Sequence, residues 1–139
     1  MKSLPKTGSQ YVFGSCGLKA DDVVWQTLPN GRIEIRYTFQ LFQEGPKGYV
    51  HGGASAALMD EALGIAVWES GFHGATVHLE LNYRKPIPLG EEIHIETWVT
   101  SEGTHSRNAE GIIYRSDGSI AVEGKGKFAL APKLFEVSS

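Results

Sequence analysis

Cysteine is nearly absent: Cys16 is the only one in 139 residues. A lone cysteine excludes an intramolecular disulfide and any metal site built from several thiolates, and it makes a reducing, cytoplasmic setting the default. Cys16 stands in the small-residue run Gly14-Ser15-Cys16-Gly17 with no histidine signature beside it, so it reads as a packing residue. Long apolar runs are missing too. No stretch approaches the roughly 20 residues of a membrane-spanning helix, and the N-terminus lacks a basic-then-apolar leader. Positive charge is scarce. Thirteen Lys and Arg against 16 Asp and Glu leave a formal net charge of −3, which argues against nucleic-acid binding as the main activity. The five histidines are scattered, and none forms the His-x-x-x-His pair of a helical zinc site, so no metal or other cofactor is called for. What remains is an ordinary globular composition, 41% hydrophobic and 21% charged, in a chain long enough for one real core but not for two. There is no internal repeat or low-complexity segment.

Within that composition the most informative stretch is His51-Gly52-Gly53 followed by Met59-Asp60-Glu61. From Gly53 to Ser70 the spacing predicts a helix with apolar side chains at nearly every angle, from Ala54 through Leu58, Leu63 and Ile65 to Trp68. A helix apolar all round is a buried helix. Ser55 and Glu69 fall close together on one side, whereas Asp60 and Glu61 sit about 100° apart and away from them. Asp60 shares its angle with Ala56, Ala57, Leu63 and Val67, and Glu61 shares its angle with Ala54, Ile65 and Trp68. Acids on such surfaces reach water at an edge, meet a basic partner, or serve as a half-buried base or nucleophile with a raised pKa. The residues before the helix favour the third reading. The turn-rich Gly45-Pro46-Lys47-Gly48 leads into two glycines at the helix start, where free N–H groups and the positive end of the dipole suit a developing oxyanion. Glycines there also relieve crowding where a helix meets a sheet, and the pair alone does not decide between the two roles.

Residues 1–20 show little periodicity and predict a partly ordered arm, with one domain over 21–139. Ile33 to Phe39 alternates as a half-buried strand, and Pro29-Asn30-Gly31 joins it to Val23–Leu28 as a hairpin. Gly71 is a plausible stop for the helix. Strands follow over Ala75–Tyr83, Glu92–Ser101, His105–Tyr114 and Ile120–Leu130, with reversals at Ser101-Glu102-Gly103-Thr104 and Ser116-Asp117-Gly118-Ser119. The class is therefore α+β, an antiparallel sheet that curls around one long central helix and buries it on most sides.

Gly48-Tyr49-Val50-His51-Gly52-Gly53, the acid nine positions after the histidine, and Leu79-Glu80-Leu81-Asn82-Tyr83-Arg84-Lys85-Pro86-Ile87-Pro88-Leu89-Gly90 together resemble the hotdog-fold acyl-CoA thioesterases of the PaaI-like group, over roughly residues 33–131. The resemblance implies acyl-CoA hydrolysis to free acid and CoA without a cofactor. It implies that Gly52 offers its N–H to the thioester carbonyl, that Asp60 is base or nucleophile, that Thr76 orients the water or the carboxylate, and that His51 fixes the glycine loop. It further implies a homodimer with the acid supplied across the subunit interface, and leaves open whether two such dimers pair as a dimer of dimers. Glu61, one position off the family's acid, cannot be aimed at the same atom as Asp60 and is expected at an interface or beside a cation. Some members carry a polar side chain where this chain has Gly45 and Pro46, and that side chain's role has no counterpart here.

For the substrate, Gly53 at the helix start, Asn82, Arg84 and Lys85 at a strand end, and Thr104, His105 and Arg107 after a reversal are the candidate contacts, Arg and Lys being suited to phosphate. Solvated charge at strand ends is the alternative for these. Met59, Leu63, Val67, Trp68 and Phe72 are candidates for an apolar acyl pocket. The rival functions are a non-catalytic acyl-CoA-binding module and a hotdog hydratase or dehydratase. The latter places its catalytic histidine beside the acid instead of ahead of two glycines.

Overall fold

The computed structural model describes residues 2–3 and 23–135. One long helix, α1 (Gly52–Glu69), accompanies seven strands: β1 (Lys2–Ser3), β2 (Val24–Thr27), β3 (Ile33–Thr38), β4 (Gly74–Tyr83), β5 (Glu92–Glu102), β6 (Ser106–Tyr114) and β7 (Ile120–Leu130). All pair antiparallel in a single sheet of order β1-β2-β3-β5-β6-β7-β4. This is the α+β hotdog architecture expected from the sequence. The chain leaves α1, crosses to the far edge as β4 and pairs there with β7, not with its sequence neighbour β5. Of the expected N-terminal arm, Lys2 and Ser3 pair with Trp25 and Val24. The rest of it, Cys16 included, lies outside the described residues. No helix among the described residues is long and apolar enough to cross a membrane.

Local sequence fixes both ends of α1. His51 caps the start, its Nδ1 accepting the Gly53 N–H, and Gly71 takes a positive φ of 86° just past the end, as a residue without Cβ readily does. Beneath the helix the sheet presents Ile35, Ile95, Thr97 and Ile113, all fully buried. It also presents glycines. A Cβ at Gly124 would stand 2.6 Å from Met59 Cγ, one at Gly111 2.9 Å from Met59 Sδ, and one at Gly126 3.1 Å from Leu63 Cδ1. Gly111 and Gly124 pair across β6 and β7, so together they form a seat into which Met59 drops. Thr97 Oγ1 donates to the Ala62 carbonyl at 3.1 Å and satisfies the one polar group of that layer.

The sheet wraps the helix but leaves one stripe of it uncovered: Gly53, Ala57, Asp60, Glu61, Gly64 and Trp68, spaced at helical intervals, are half-buried or exposed. A single sheet reaches only part of a helix's circumference, and apolarity around the wheel could not say which part. Met59, Leu63, Val67 and Phe72, candidates for an acyl pocket, are buried in the core. Trp68 alone of that set stays at the surface, 41% exposed, stacked on His73 at 4.3 Å. Ser55 is likewise buried, away from exposed Glu69 in environment if not in angle.

Candidate active site

The site begins with the backbone at the start of α1. The Gly53 N–H is taken by His51 Nδ1 at 2.9 Å, and the N–H groups of Ala54 and Ser55 are taken by the His51 carbonyl at 3.0 and 3.3 Å. The Gly52 N–H has no acceptor among the described residues. A helix start leaves several donors unpaired, and here the capping histidine removes all but one. The peptide carrying that donor has its carbonyl bound by two N–H groups, which polarises it and strengthens the N–H.

The loop leading into this turn is tied down. The His51 N–H bonds the Gln43 carbonyl at 2.8 Å, the Val50 N–H bonds the Ile87 carbonyl at 2.9 Å, and the Leu89 N–H bonds the Gly48 carbonyl at 3.1 Å. Gln43, itself buried, exchanges hydrogen bonds with the Tyr37 hydroxyl. Gly45 packs against the capping residue so closely that a Cβ would lie 2.7 Å from His51 Cα. A side chain at position 45 would therefore force the capping residue to move.

Asp60 lies two turns further along α1 and points toward β4, where Thr76 Oγ1 donates to its Oδ1 at 2.9 Å. Burial raises the Asp60 carboxyl above its ordinary value, and the Thr76 hydrogen bond pulls partly back. Glu61 points about 100° around the helix, away from Thr76, and has no hydrogen-bond or ion-pair partner among the described residues. Its carboxyl is pushed up to about 7, first by burial and then by the Asp60 charge.

Thr76 reaches Asp60 because β4 is irregular. Simple alternation puts Ala75, Val77, Leu79 and Leu81 on one face and Thr76, His78, Glu80 and Asn82 on the other. Leu79 and Leu81 pack against the core, which would turn Thr76 outward. The register against β7 shifts between Thr76 and His78, so Val77, 59% exposed, is an extra residue. The bulge changes the parity and returns Thr76 to the helix side. At the other end of β4, the Tyr83 hydroxyl donates to the Gly52 carbonyl at 2.7 Å, an acceptor that also takes the Ser55 Oγ hydrogen bond at 3.0 Å. The sequence reading missed Tyr83, Ser55 and the bulge. The only signal for the bulge was that Thr76 is out of phase with Leu79 and Leu81.

The substrate candidates fall into two groups. Gly53 sits at the helix start, with Asn82 near the end of β4 and Arg84 and Lys85 just past it, all exposed, and Arg84 Nε 3.2 Å from Glu123. Thr104, His105 and Arg107 lie at the opposite end of the sheet. Asn82 pairs with Glu123 and Arg107 with Phe128, a separation of about 17 Å along β7. Arg107 Nη1 donates to the carbonyls of Gly103 and Ser106 at 2.6 and 2.9 Å, and its guanidinium lies 4.4 Å over the Phe72 ring. Those two hydrogen bonds close its own turn. Gly52 and Asp60 are also apart in one chain, by about 12 Å along the helix axis.

The family profile described as "Thioesterase superfamily" matches residues 47–122, more than half of the chain and the span that holds His51, Gly52, Asp60 and Thr76. The chain belongs to the thioesterase superfamily. Among curated relatives, acyl-coenzyme A thioesterase THEM4 of Rattus norvegicus is 33% identical over 52% of this chain and 31% of its own length. The chain thus spans about a third of that relative. Among solved structures, the thioesterase superfamily protein RHA08564 is 34% identical with a TM-score of 0.73, over 77% of this chain and 55% of the other. The BH2602 protein from Bacillus halodurans, solved with CoA, is 28% identical with a TM-score of 0.69, over 78% of this chain and 73% of the other.

Proposed function

We propose that this thioesterase-superfamily chain is an acyl-CoA thioesterase, converting R–CO–S–CoA and water to R–COOH and CoA–SH. The observation that carries the reading is the Asp60 carboxylate, half-buried, made more basic by burial and held through one oxygen by Thr76. The free oxygen deprotonates a water that attacks the thioester carbonyl, or attacks that carbonyl itself to give a mixed anhydride that water then opens. The Gly52 N–H receives the oxyanion, a donor worth about 3 kcal/mol of barrier. His51 holds the turn through Nδ1 and takes no part in proton transfer.

The roughly 12 Å between Gly52 and Asp60 in one chain supports a site shared by two, Asp60 of one subunit facing Gly52 of the other in a homodimer. The open edge of β4 suits the second copy, since unpaired strand edges recruit partners. A two-fold axis there brings the Thr104–Arg107 end of one sheet toward the Asn82–Lys85 end of the other, so both groups can serve the coenzyme, Arg84 and Lys85 meeting phosphate. Residues 21–139 act as the single catalytic domain, and the lone cysteine suits the cytoplasm. The test is thiol release from short, medium, long and aromatic acyl-CoAs by wild type and Asp60→Asn. Turnover that drops by about 10²–10⁴ in the variant, with acyl-CoA still bound, supports the reading. Binding without hydrolysis by either protein would make the chain a binding module.

A further inference from the structure

We infer that Tyr83 is a positioning residue for the Gly52 donor, holding the Gly52–Gly53 peptide by its carbonyl so that the torsions of Gly52, and with them the aim of the free N–H, stay fixed. The inference rests on the thioesterase reading above. Two successive glycines are the most permissive backbone a donor could be built on, and a peptide plane that flips would turn the N–H away from the substrate. Gly52 lies between two such planes. The one before it is held by the Ala54 and Ser55 N–H groups on the His51 carbonyl. The one after it is held at its N–H by His51 Nδ1 at 2.9 Å and at its carbonyl by the Tyr83 hydroxyl at 2.7 Å and Ser55 Oγ at 3.0 Å. With both planes held, Gly52 has little torsional freedom.

Tyr83 is the only one of these holds that comes from outside the loop and the helix. It belongs to β4, the strand that also delivers Thr76 to Asp60. The extra residue at Val77 is what brings both side chains to the helix side, because positions 76 and 83 differ in parity and would otherwise face opposite ways. One strand thus sets both halves of the chemistry: the acid through Thr76 and the donor through Tyr83. Tyr83 leaves room at Gly52, where an added Cβ would meet it only at 3.6–3.8 Å, and the residue is 55% exposed. The hydroxyl, more than the packing, is therefore the part that matters.

Tyr83→Phe removes that hydroxyl and keeps the ring. The expected result is a kcat about tenfold lower, as for loss of one well-formed hydrogen bond, with KM for acyl-CoA unchanged. Amide hydrogen exchange at Gly53 should quicken. Tyr114→Phe, on the outer face where Tyr114 stacks on His94 at 4.7 Å, should leave kcat at the wild-type value. Unchanged kcat and unchanged exchange in Tyr83→Phe would overturn the inference. So would a raised KM with kcat intact, which would make the hydroxyl a substrate contact. Wild type that releases no thiol from any acyl-CoA overturns the thioesterase reading instead, while the exchange measurement still reports whether Tyr83 holds the peptide.

Discussion

The two sides of α1 obey different rules. Toward the sheet, Leu58, Met59, Ala62 and Leu63 have no accessible surface, and Met59 fills a seat made by Gly111 and Gly124. Away from it run Gly53, Ala57, Asp60, Glu61, Gly64 and Trp68, where small side chains leave room and both carboxylates of the helix interior are found. Close packing on one side anchors the helix rigidly enough that two polar groups on the other can be held for chemistry. The same eighteen residues serve as core and as candidate site, and the division follows from which arc of the helix the sheet can cover.

The largest effects belong to the uncovered side and can break the comparison outright. Gly52 is the first helical residue, and His51 before it has φ −64° and ψ 135°, a conformation a following proline accepts. Gly52→Pro should therefore keep the helix start, where proline is favoured, and delete the one free N–H, lowering kcat by about 10²–10³. Asp60→Asn fails through the acid. If each site takes its donor and its acid from different chains of a two-fold dimer, mixing the two variants after unfolding and refolding should restore about a quarter of wild-type activity: half the dimers are mixed and one of their two sites is intact. Activity that stays at the level of the separate variants would place both groups in one chain and contradict the shared site.

On the packed side a substitution should cost stability and spare chemistry. Gly124→Val drives a side chain into Met59, whose Cγ already lies 2.6 Å from where a Cβ would stand. Overpacking of this kind costs about 1–3 kcal/mol, visible as a lower urea midpoint with kcat per folded molecule unchanged. Adding Met59→Ala should recover part of the loss, because the two changes share one space. A kcat that falls with the midpoint would show that the two sides of the helix are not separable.

These contrasts also mark what the sequence made legible. Strand alternation, the Asp-Gly turn and the His-Gly-Gly helix start led to the right elements, and the β2–β3 hairpin lies where its turn residues place it. The arc left open on α1 was not legible, because an all-apolar wheel carries no direction. It emerges only from the sheet, where paired glycines decide where the helix seats. Met59 and Leu63, candidates for an acyl pocket, are fully buried at that seat. Asp60 and the Gly52 turn could be singled out from charge and glycine placement, whereas Tyr83 and Ser55 act through a backbone carbonyl and leave no mark in hydropathy. Thr76 entered through family resemblance against its own strand parity, and the register shift at Val77 reconciles the two.

The smallest effect concerns Glu61 and sharpens the comparison within the uncovered side itself. Its carboxyl titrates at about 7 in the folded protein against an ordinary 4.5, through burial and the neighbouring Asp60 charge. Between those values the folded chain keeps a proton that the unfolded chain has released, so Glu61 makes stability fall as pH rises across that window, and above it the folded chain carries an unfavourable charge. Glutamine has no such charge. Glu61→Gln should therefore melt at a higher temperature than wild type at pH 8, by a margin that closes toward pH 4.5, with kcat little changed because the side chain points away from Thr76. Thermal melts of both proteins from pH 4 to 8.5 read this directly. A variant less stable than wild type at pH 8 would mean that the charged form of Glu61 has found a cation in the assembled protein.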